Sequence, residues 1–369
     1  MNHQSNQQAS QWLDQPKAVR DEDQFDLVAF DEWLRGQGLE LSPGLPEVHQ
    51  YPKGASNLTY RLTYGDRVLV LRRPPMGQKA ASAHNMVREH RIQSLLATSI
   101  QAVPKMLAVC EDERVIGSEF YVMEHVPGLI LRSNLPSGLT LSKDRVRQLC
   151  LAAIDQLIEL HSVDVHATGL DQLGKGTGYN QRQIDGWCGR FEKAQTWNVA
   201  SGKKVMDWLQ AHCPKETKLC MIHGDYRFDN LVLKPNLNEP DEPIEIRAIL
   251  DWELATIGDP MMDLGNSMAY WVEATDDFYF RNFRRQPTHV PGMLTREEVV
   301  KYYCERMGFE YAQWAFYEVY GLFRLAVIAQ QIYYRYHHGQ TRNPQFKHFW
   351  FAVNYLLWRC GRVIKRSGI

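Results

Sequence analysis

Two short apolar stretches of the sequence each lead into polar residues that could bind a metal ion. Residues 219–222 are followed by His223 and Asp225, and Asn230 comes five positions after that aspartate. The second stretch ends in Asp251. Carboxylate and amide oxygens are ligands that Mg²⁺ prefers, usually with only one or two carboxylates. The pattern predicts a divalent metal site on Asn230 and Asp251, beside a catalytic base, Asp225.

The spacing from His223 through Asp225 to Asn230 is that of the catalytic loop of kinases. In that loop the aspartate accepts the proton of the substrate hydroxyl, and the asparagine binds Mg²⁺. Taken alone, Asp225 is equally well explained as the cap of a turn, but Asn230 and Asp251 in the expected order favour catalysis. We expect His223 to hold the loop through hydrogen bonds, and Asp263 to hold its backbone from the following helix.

The N-terminal third of the sequence contains the parts that a nucleotide site needs. A turn-forming cluster with Gly54, Ser56 and Asn57 lies between two predicted strands and could cover the phosphates. Arg72, on the third predicted strand, supplies a cation for the α- and β-phosphates. Glu89, on the next predicted helix, could position that cation. These features in this order predict ATP as a cofactor together with Mg²⁺.

The strand end at Glu124 and Val126 is predicted to be a hinge whose backbone contacts the adenine. Two features differ from the usual pattern. The cation is Arg72 where a lysine is expected, and Arg73 beside it makes the assignment ambiguous. Arginine binds phosphate bidentately, but it is not interchangeable with lysine. The phosphate loop also contains a single glycine.

The composition indicates a soluble globular protein with two lobes. The chain has 369 residues, of which 44% are hydrophobic and 23% charged, and its formal net charge is −1. This balance gives no reason to expect a nucleic acid or a membrane as a partner. The seven scattered cysteines form no CxxC pair, which predicts free thiols of a reducing compartment. The polar N-terminus is not a signal peptide, so we expect a cytoplasmic protein, a monomer or a homodimer.

Hydrophobic periodicity predicts three segments and an α+β fold. Residues 1–22 are polar and predict a flexible leader. Residues 23–125 predict a small sheet with one helix, the nucleotide-binding lobe. Residues 126–369 predict a larger, mainly helical lobe that contains the proposed catalytic loop and metal site. A cleft between two lobes is where a ligand normally binds.

The motifs at residues 223–231, 249–260 and 263–265 resemble those of the aminoglycoside phosphotransferase family, which includes choline-kinase-like enzymes. The resemblance covers roughly residues 25–340. Within the family, the chain looks like the branch related to the kinase-like domain fused to some acyl-CoA dehydrogenases. The resemblance implies a protein-kinase-like two-lobe fold that uses ATP and Mg²⁺.

The same resemblance implies roles for individual residues. Asp225 would be the base, and Asn230 and Asp251 the metal ligands. For the fused branch, it implies hydroxylated acyl substrates, either free or as CoA thioesters. Our hypothesis is therefore a phosphotransferase that acts on a hydroxyl group of a small molecule. The alternative is a catalytically silent pseudokinase module with a regulatory role, which Arg72 keeps open. A protein kinase is disfavoured because the Asp-Phe-Gly and Ala-Pro-Glu motifs are absent.

Basic residues of the helical part bear on the acceptor. Arg227, between the predicted base and metal ligand, could bind a phosphate or carboxylate of the substrate, or be an ordinary ion-paired surface residue. Aminoglycosides are polycations and need an acidic pocket. The basic residues of the C-terminal helices favour a neutral or anionic acceptor instead: Arg324, Arg335, Arg342 and Lys347.

Overall fold

The structure is a computed structural model that describes residues 16–52, 57–75 and 85–368. The predicted phosphate-loop residues Gly54 and Ser56 lie outside the described residues. The chain forms two compact units, Met1–Ala152 with Phe228–Ala255, and Ala153–Arg227 with Thr256–Ile369. The first unit thus includes a segment from the predicted C-terminal lobe. The lobe boundaries at residues 22 and 125 stay predictions.

Strands dominate the first part of the chain and helices the rest. The strands are β1 (Glu47–Gln50), β2 (Leu58–Tyr64), β3 (Arg67–Arg73), β4 (Met106–Cys110), β5 (Phe120–Glu124), β6 (Cys220–Ile222), β7 (Leu231–Leu233), β8 (Ile246–Ile249) and β9 (Thr256–Gly258). The α-helices are α1 (Leu27–Gly36), α2 (Met86–Leu96), α3 (Lys143–His161), α4 (Tyr179–Lys193), α5 (Lys203–Ala211), α6 (Pro260–Ala269), α7 (Phe278–Asn282), α8 (Arg296–Met307), α9 (Trp314–His337) and α10 (Phe349–Ser367). Short 3₁₀ turns occur at Asp21–Asp23, Leu170–Leu173, Phe228–Asn230, Trp252–Leu254 and Pro344–His348.

The first unit is built on an antiparallel sheet of five strands in the order β1-β2-β3-β5-β4. Strand β2 alternates buried and half-buried residues, as expected for a strand with one face in the core. That core face packs against α1, whose Phe30 and Leu34 are fully buried. A separate two-stranded ribbon pairs β7 with β8 in the same unit. Lys17, in the predicted leader, pairs with Gln50 through backbone hydrogen bonds of 2.7 and 2.8 Å.

Two adjacent arginines of β3 point to opposite sides of the sheet, because successive side chains of a strand alternate. Arg73 is fully buried and donates hydrogen bonds to the backbone oxygen of Asp23 (2.7 Å) and to the hydroxyl of Tyr60 (3.0 Å). Arg72 lies on the other face. Arg73 therefore ties the N-terminal segment to the sheet, and the role of Arg72 as the phosphate-binding cation stays a prediction.

The second unit consists mainly of helices with one ribbon, in which β6 pairs with β9. Asp259 caps α6 by accepting a hydrogen bond from the amide of Met261 (2.8 Å), and Pro260 occupies the first turn. Aspartate at the cap and proline in the first turn are both favoured at the start of a helix. The Trp-rich stretch over residues 181–211, which the sequence pattern predicts to be helical, falls in the helices α4 and α5. The sequence pattern missed β9 and α7.

All seven cysteines are free thiols in the described residues, and six of them are buried. Among the helices that the structure describes, each is too short or too polar to cross a membrane.

Helices α6 and α9 approach each other at two glycines. A Cβ on Gly321 would lie 2.1 Å from the carbonyl oxygen of Gly265, and a Cβ on Gly265 would lie 2.5 Å from that of Tyr317. Backbone atoms cannot move aside as a flexible side chain can. Glycine at these positions therefore allows α6 to pack closely against α9, although glycine itself weakens a helix.

We predict that Gly321→Ala lowers the free energy of unfolding by about 1–3 kcal/mol, because overpacking at the backbone outweighs the better helix propensity of alanine. Gly361 is the matched control, since it lies in α10 and a Cβ there meets no atom within 4 Å. Gly361→Ala should be neutral or stabilising by up to about 1 kcal/mol. Urea denaturation measures both. Equal effects of the two substitutions would contradict the close packing.

Candidate active site

The loop that follows β6 in the second unit is held by one buried carboxylate. Asp263, on α6, accepts hydrogen bonds from the backbone amides of His223 (2.9 Å) and Gly224 (2.8 Å). The imidazole Nδ1 of His223 accepts a bond from the amide of Asp225 (3.2 Å). Asp263 and His223 are both fully buried. The predicted loop-holding roles of these two residues are confirmed.

Asp263 is in turn oriented by a buried histidine. The Nε2 of His161 lies 3.2 Å from a carboxylate oxygen of Asp263, and its Nδ1 lies 2.6 Å from the hydroxyl of Tyr303. Burial acts to raise the pKa of Asp263, but the hydrogen bonds and positive potential of His161 and His223 outweigh it and lower that pKa. An ionised acceptor therefore faces the loop backbone.

The predicted base is paired with a neighbouring arginine. A guanidinium nitrogen of Arg227 lies 3.0 Å from a carboxylate oxygen of Asp225, and both side chains are less than one-fifth exposed. The same guanidinium lies 4.5 Å from the ring centre of Tyr270. Arg227 is thus not a solvated surface residue. Arg324 donates a hydrogen bond to the carbonyl oxygen of Gly224, the residue before the predicted base (2.8 Å).

The first unit contains a cavity of about 620 Å³. It collects most of the residues that the sequence singled out for nucleotide and metal binding. Those that line it are Asn57, Arg72, Glu124, Val126, Asn230 and Asp251. Glu89 stands behind Arg72, with 3.7 Å between a carboxylate oxygen and the guanidinium Nε.

Arg72 is surrounded by carboxylates within the first unit. It forms an ion pair with Asp251, and one of its nitrogens lies 3.9 Å from Glu253. Burial lowers the pKa of Arg72, but Tyr121 and the surrounding carboxylates outweigh burial and raise that pKa well above its usual value. Burial raises the pKa of the Glu89 carboxyl, while the positive charge of Arg72 opposes that rise. Arg72 therefore stays charged.

Glu253 is a site residue that the sequence reasoning missed. Its carboxylate accepts a hydrogen bond of 3.1 Å from the side-chain amide of Asn57, and that amide also lies 3.4 Å from Glu89. The only sequence signal was a second acid two positions after Asp251. Spacing of this kind is common in turns, so it carried little weight without the fold.

Asp251 has an unusual backbone conformation. Its φ of 68° makes it the only residue other than glycine with a positive φ in the part of the chain that the structure describes. Asparagine and aspartate tolerate the left-handed region better than most residues. Such conformations cost energy and concentrate at functional sites. The turn directs the chain from β8 into the 3₁₀ turn that carries Glu253.

The segment after β5 lines part of the cavity. The amide of Val126 makes no backbone hydrogen bond within the described residues. Gly128 follows, and a Cβ there would lie 2.4 Å from a side-chain carbon of Val232 and 2.6 Å from the carbonyl oxygen of Leu233. Only glycine allows this close approach to β7. The approach fixes the position of the segment that borders the cavity.

The cavity fits a magnesium nucleotide on the chemistry of its groups. Asn230 and Asp251 supply the hard oxygen ligands that Mg²⁺ prefers. The Nε of Arg72 is buried and has no hydrogen-bond partner among the described residues. The amide of Val126, which makes no backbone hydrogen bond there either, is available to an adenine ring. A cation can bind the phosphates of a nucleotide. A backbone amide that has no backbone partner among the described residues, that of Val126, can bind its adenine.

The fold and this cavity define a protein of kinase-like type. A choline kinase from Cryptosporidium parvum superposes with a TM-score of 0.60, at 12% identity, over 93% of this chain and 97% of that one. At that identity the likeness concerns the fold alone. The predicted α+β, protein-kinase-like fold is confirmed.

The family is shown by the sequence itself. Residues 47–302 match the model of the phosphotransferase enzyme family, abbreviated APH, and the chain belongs to that family. A provisionally assigned aminoglycoside phosphotransferase from Ralstonia eutropha JMP134 is 31% identical, with a TM-score of 0.76, and the alignment covers 93% of this chain and 99% of that one. Family and fold together indicate a small-molecule phosphotransferase.

The curated relatives are longer proteins. Acyl-CoA dehydrogenase family member 10 of Mus musculus is 38% identical over 316 residues, which are 85% of this chain and 29% of that protein. The chain spans less than half the length of the curated relatives it matches. The predicted resemblance to the kinase-like domain of such dehydrogenases is confirmed.

We predict that Asp263→Asn lowers the free energy of unfolding by at least about 2 kcal/mol at neutral pH, because an amide cannot accept both backbone hydrogen bonds as the carboxylate does. The folded-state pKa of Asp263 lies below its usual value of about 3.9, so its stabilising effect is present above that pH. The difference between variant and wild type should shrink as the pH falls below about 4.

Chemical denaturation across a pH series measures this effect. Tyr303→Phe is the control, because it removes only the hydroxyl that contacts His161 and should cost about 1 kcal/mol. An Asp263→Asn variant as stable as wild type at pH 7 would show that the loop does not depend on this carboxylate.

Proposed function

We propose that the chain is an ATP- and Mg²⁺-dependent phosphotransferase that acts on a hydroxyl group of a small molecule. The observation that carries the proposal is the convergence of Arg72, Asn230 and Asp251 on one cavity of the first unit. Family membership independently implies the use of ATP and Mg²⁺. The geometry of the 223–230 loop supports a base at Asp225.

The cavity residues divide the nucleotide between them in this proposal. The backbone at Glu124 and Val126 binds the adenine edge, and Arg72, positioned by Glu89, contacts the α- and β-phosphates. Asn57 lies where the phosphate loop enters β2. Asn230 and Asp251 would hold Mg²⁺, which when bound neutralises charge on the β- and γ-phosphates.

The acceptor side depends on the second unit. Asp225 orients the hydroxyl and accepts its proton as the bond to phosphorus forms. Arg227 pairs with Asp225 in the structure, and in this proposal its positive charge stabilises the transferred phosphoryl group. Such positioning and electrostatic stabilisation account for most of the catalysis in phosphoryl transfer.

The acceptor is proposed to be neutral or anionic, and a hydroxyacyl compound, free or as its CoA thioester, is the favoured class. Support comes from the name of the relative in mouse, an acyl-CoA dehydrogenase family member, and from the arginines beside the base. We further expect a cytoplasmic protein, because all seven cysteines are free thiols. We also expect a monomer or a homodimer.

A second candidate is a silent pseudokinase module with a regulatory role. The observation in its favour is the ion pair between Arg72 and Asp251, in which the phosphate-binding cation and a metal ligand bind each other. Against it stands the complete set of Asp225, Asn230 and Asp251. Binding of ATP·Mg²⁺ without phosphorylation of any acceptor would favour the silent module.

We predict that Asp225→Asn lowers kcat by a factor of about 10²–10⁴, because the hydroxyl loses its proton acceptor. Affinity for ATP·Mg²⁺ should stay within about twofold of wild type, since Asp225 belongs to the acceptor side. ADP release is measured with hydroxy acids, their CoA thioesters, sugars, choline-like amines and aminoglycosides. Asp241→Asn, an exposed aspartate, is the control. Near-normal turnover of Asp225→Asn would sink the assignment.

The neighbouring arginines allow a matched test of the nucleotide site. Arg72→Met should weaken ATP·Mg²⁺ binding by roughly 10-fold to 100-fold, the usual worth of a charge-assisted hydrogen bond. Arg72→Lys should retain part of the affinity. Arg73→Met should instead lower Tm and leave the Kd unchanged, because Arg73 is buried on the other face of the sheet. Calorimetric titration and thermal denaturation separate the two, and equal losses of affinity would contradict the assignment.

A further inference from the structure

Two arginines of the second unit lie over the same indole ring. The guanidinium carbon of Arg190, on α4, lies 3.8 Å from the ring centre of Trp187, and that of Arg324, on α9, lies 5.2 Å from it. Arg324 is 6% exposed. Within the described residues, neither arginine forms an ion pair with an aspartate or a glutamate. Two positive charges are thus gathered without a negative partner.

This cluster is connected to the loop that carries the predicted base. Arg324 donates a hydrogen bond of 2.8 Å to the carbonyl oxygen of Gly224, the residue before Asp225. A group bound by Arg324 would therefore lie close to the loop that carries Asp225. The connection places the cluster on the acceptor side of the proposed reaction.

The electrostatics of the pair are unfavourable without a ligand. Burial lowers the pKa of Arg190, and the positive charge of Arg324 lowers it further, while Tyr320 opposes both effects. The Nε of Arg190 is buried and has no hydrogen-bond partner in the described part of the chain. Buried charges in proteins are normally paired or hydrogen-bonded. An anion between the two guanidinium groups would meet both requirements.

We propose that Arg190 and Arg324 form a subsite for an oxyanion group, a carboxylate or a phosphoryl group, of the molecule whose hydroxyl is phosphorylated. The proposal rests on the proposed phosphotransferase function and specifies its acceptor. The planar guanidinium fork matches two oxygens of a carboxylate or phosphoryl group. Both guanidinium groups lie over the indole of Trp187, which holds them near each other.

A purely structural role is the competing explanation. Stacking of arginine on tryptophan contributes about 0.5–2 kcal/mol and could simply hold α4 against α9. In that case loss of Arg190 would lower Tm and leave anion binding unchanged. The test therefore needs a binding measurement as well as a stability measurement.

The experiment uses the full chain with saturating ADP·Mg²⁺, so that the nucleotide site is filled. Thermal shifts are measured with β-hydroxybutyrate, its uncharged amide, its CoA thioester and inorganic phosphate. The variants are Arg190→Gln, which removes the charge, and Arg190→Lys, which keeps it. Lys193→Gln is the matched control, because Lys193 is an exposed cation on the same helix. Phosphorylation of each compound is followed in parallel through kcat and KM.

We expect the anionic compounds to raise the Tm of wild type and of Lys193→Gln, and the amide to have little effect. Arg190→Gln should weaken anion binding by roughly 10-fold to 100-fold, with the loss in KM, and Arg190→Lys should recover part of it. A loss confined to β-hydroxybutyrate assigns the subsite to a carboxylate. A loss confined to the thioester and phosphate assigns it to a phosphoryl group.

Three outcomes would overturn the subsite while leaving the phosphotransferase proposal intact: equal binding of acid and amide, unchanged anion binding by Arg190→Gln, or no shift of wild type by any anion when ADP·Mg²⁺ alone stabilises it. If ADP·Mg²⁺ itself produces no shift in wild type, the proposed function fails and the subsite fails with it.

Discussion

The position of the proposed base depends on one buried carboxylate. Asp263 accepts hydrogen bonds from the backbone amides of the two residues that precede Asp225. The loop therefore cannot shift without leaving the buried carboxylate of Asp263 without these partners. The carboxylate is in turn fixed by α6, which starts at the Asp259 cap. Close contact between Gly265 and Gly321 sets how deeply that helix sits against α9. Packing between α6 and α9 therefore helps to determine where the base is presented.

Arg72 organises the first unit in a comparable way, but through charge. Its guanidinium stands among Asp251, Glu253 and Glu89, and its planar fork directs several N–H donors toward these three carboxylates. A lysine would offer one point charge. In the proposed nucleotide complex, Asp251 would bind Mg²⁺ and Arg72 would bind phosphate in place of the ion pair between them. The arginine is then compatible with catalysis, although it replaces the expected lysine.

The sequence predicted the parts of the site that depend on local order along the chain. The loop motif led to Asp225 and to the supporting role of Asp263, which the hydrogen bonds confirm. The sequence favoured Arg72 as the phosphate-binding cation but left Arg73 as an ambiguity, because a shift of one residue in a strand exchanges its two faces. Glu253 was missed because its contact with Asn57 joins segments far apart in the chain.

The proposed acceptor subsite likewise depends on contacts between segments that are far apart in the chain. Arg190 and Arg324 belong to different helices, and nothing in the sequence near either residue indicates that they share one indole ring. Periodicity identifies helices and their buried faces, but the pairing of two helices depends on packing between them. The fold class therefore followed from the sequence, whereas the residues that select a ligand required the structure.

Membership in the family does not define the acceptor, because one fold supports many substrates through changes at the site. Charge gives a more specific argument. Two of the side chains that contact the base or its neighbouring backbone are cationic, Arg227 through Asp225 and Arg324 through Gly224. A polycationic acceptor would be repelled by these two arginines. Arg324 is buried and forms no ion pair with a carboxylate among the described residues, and a buried cation without a counterion is costly. An acceptor that brings its own negative group removes that cost when it binds, so the same arginines would favour binding and place the hydroxyl beside Asp225.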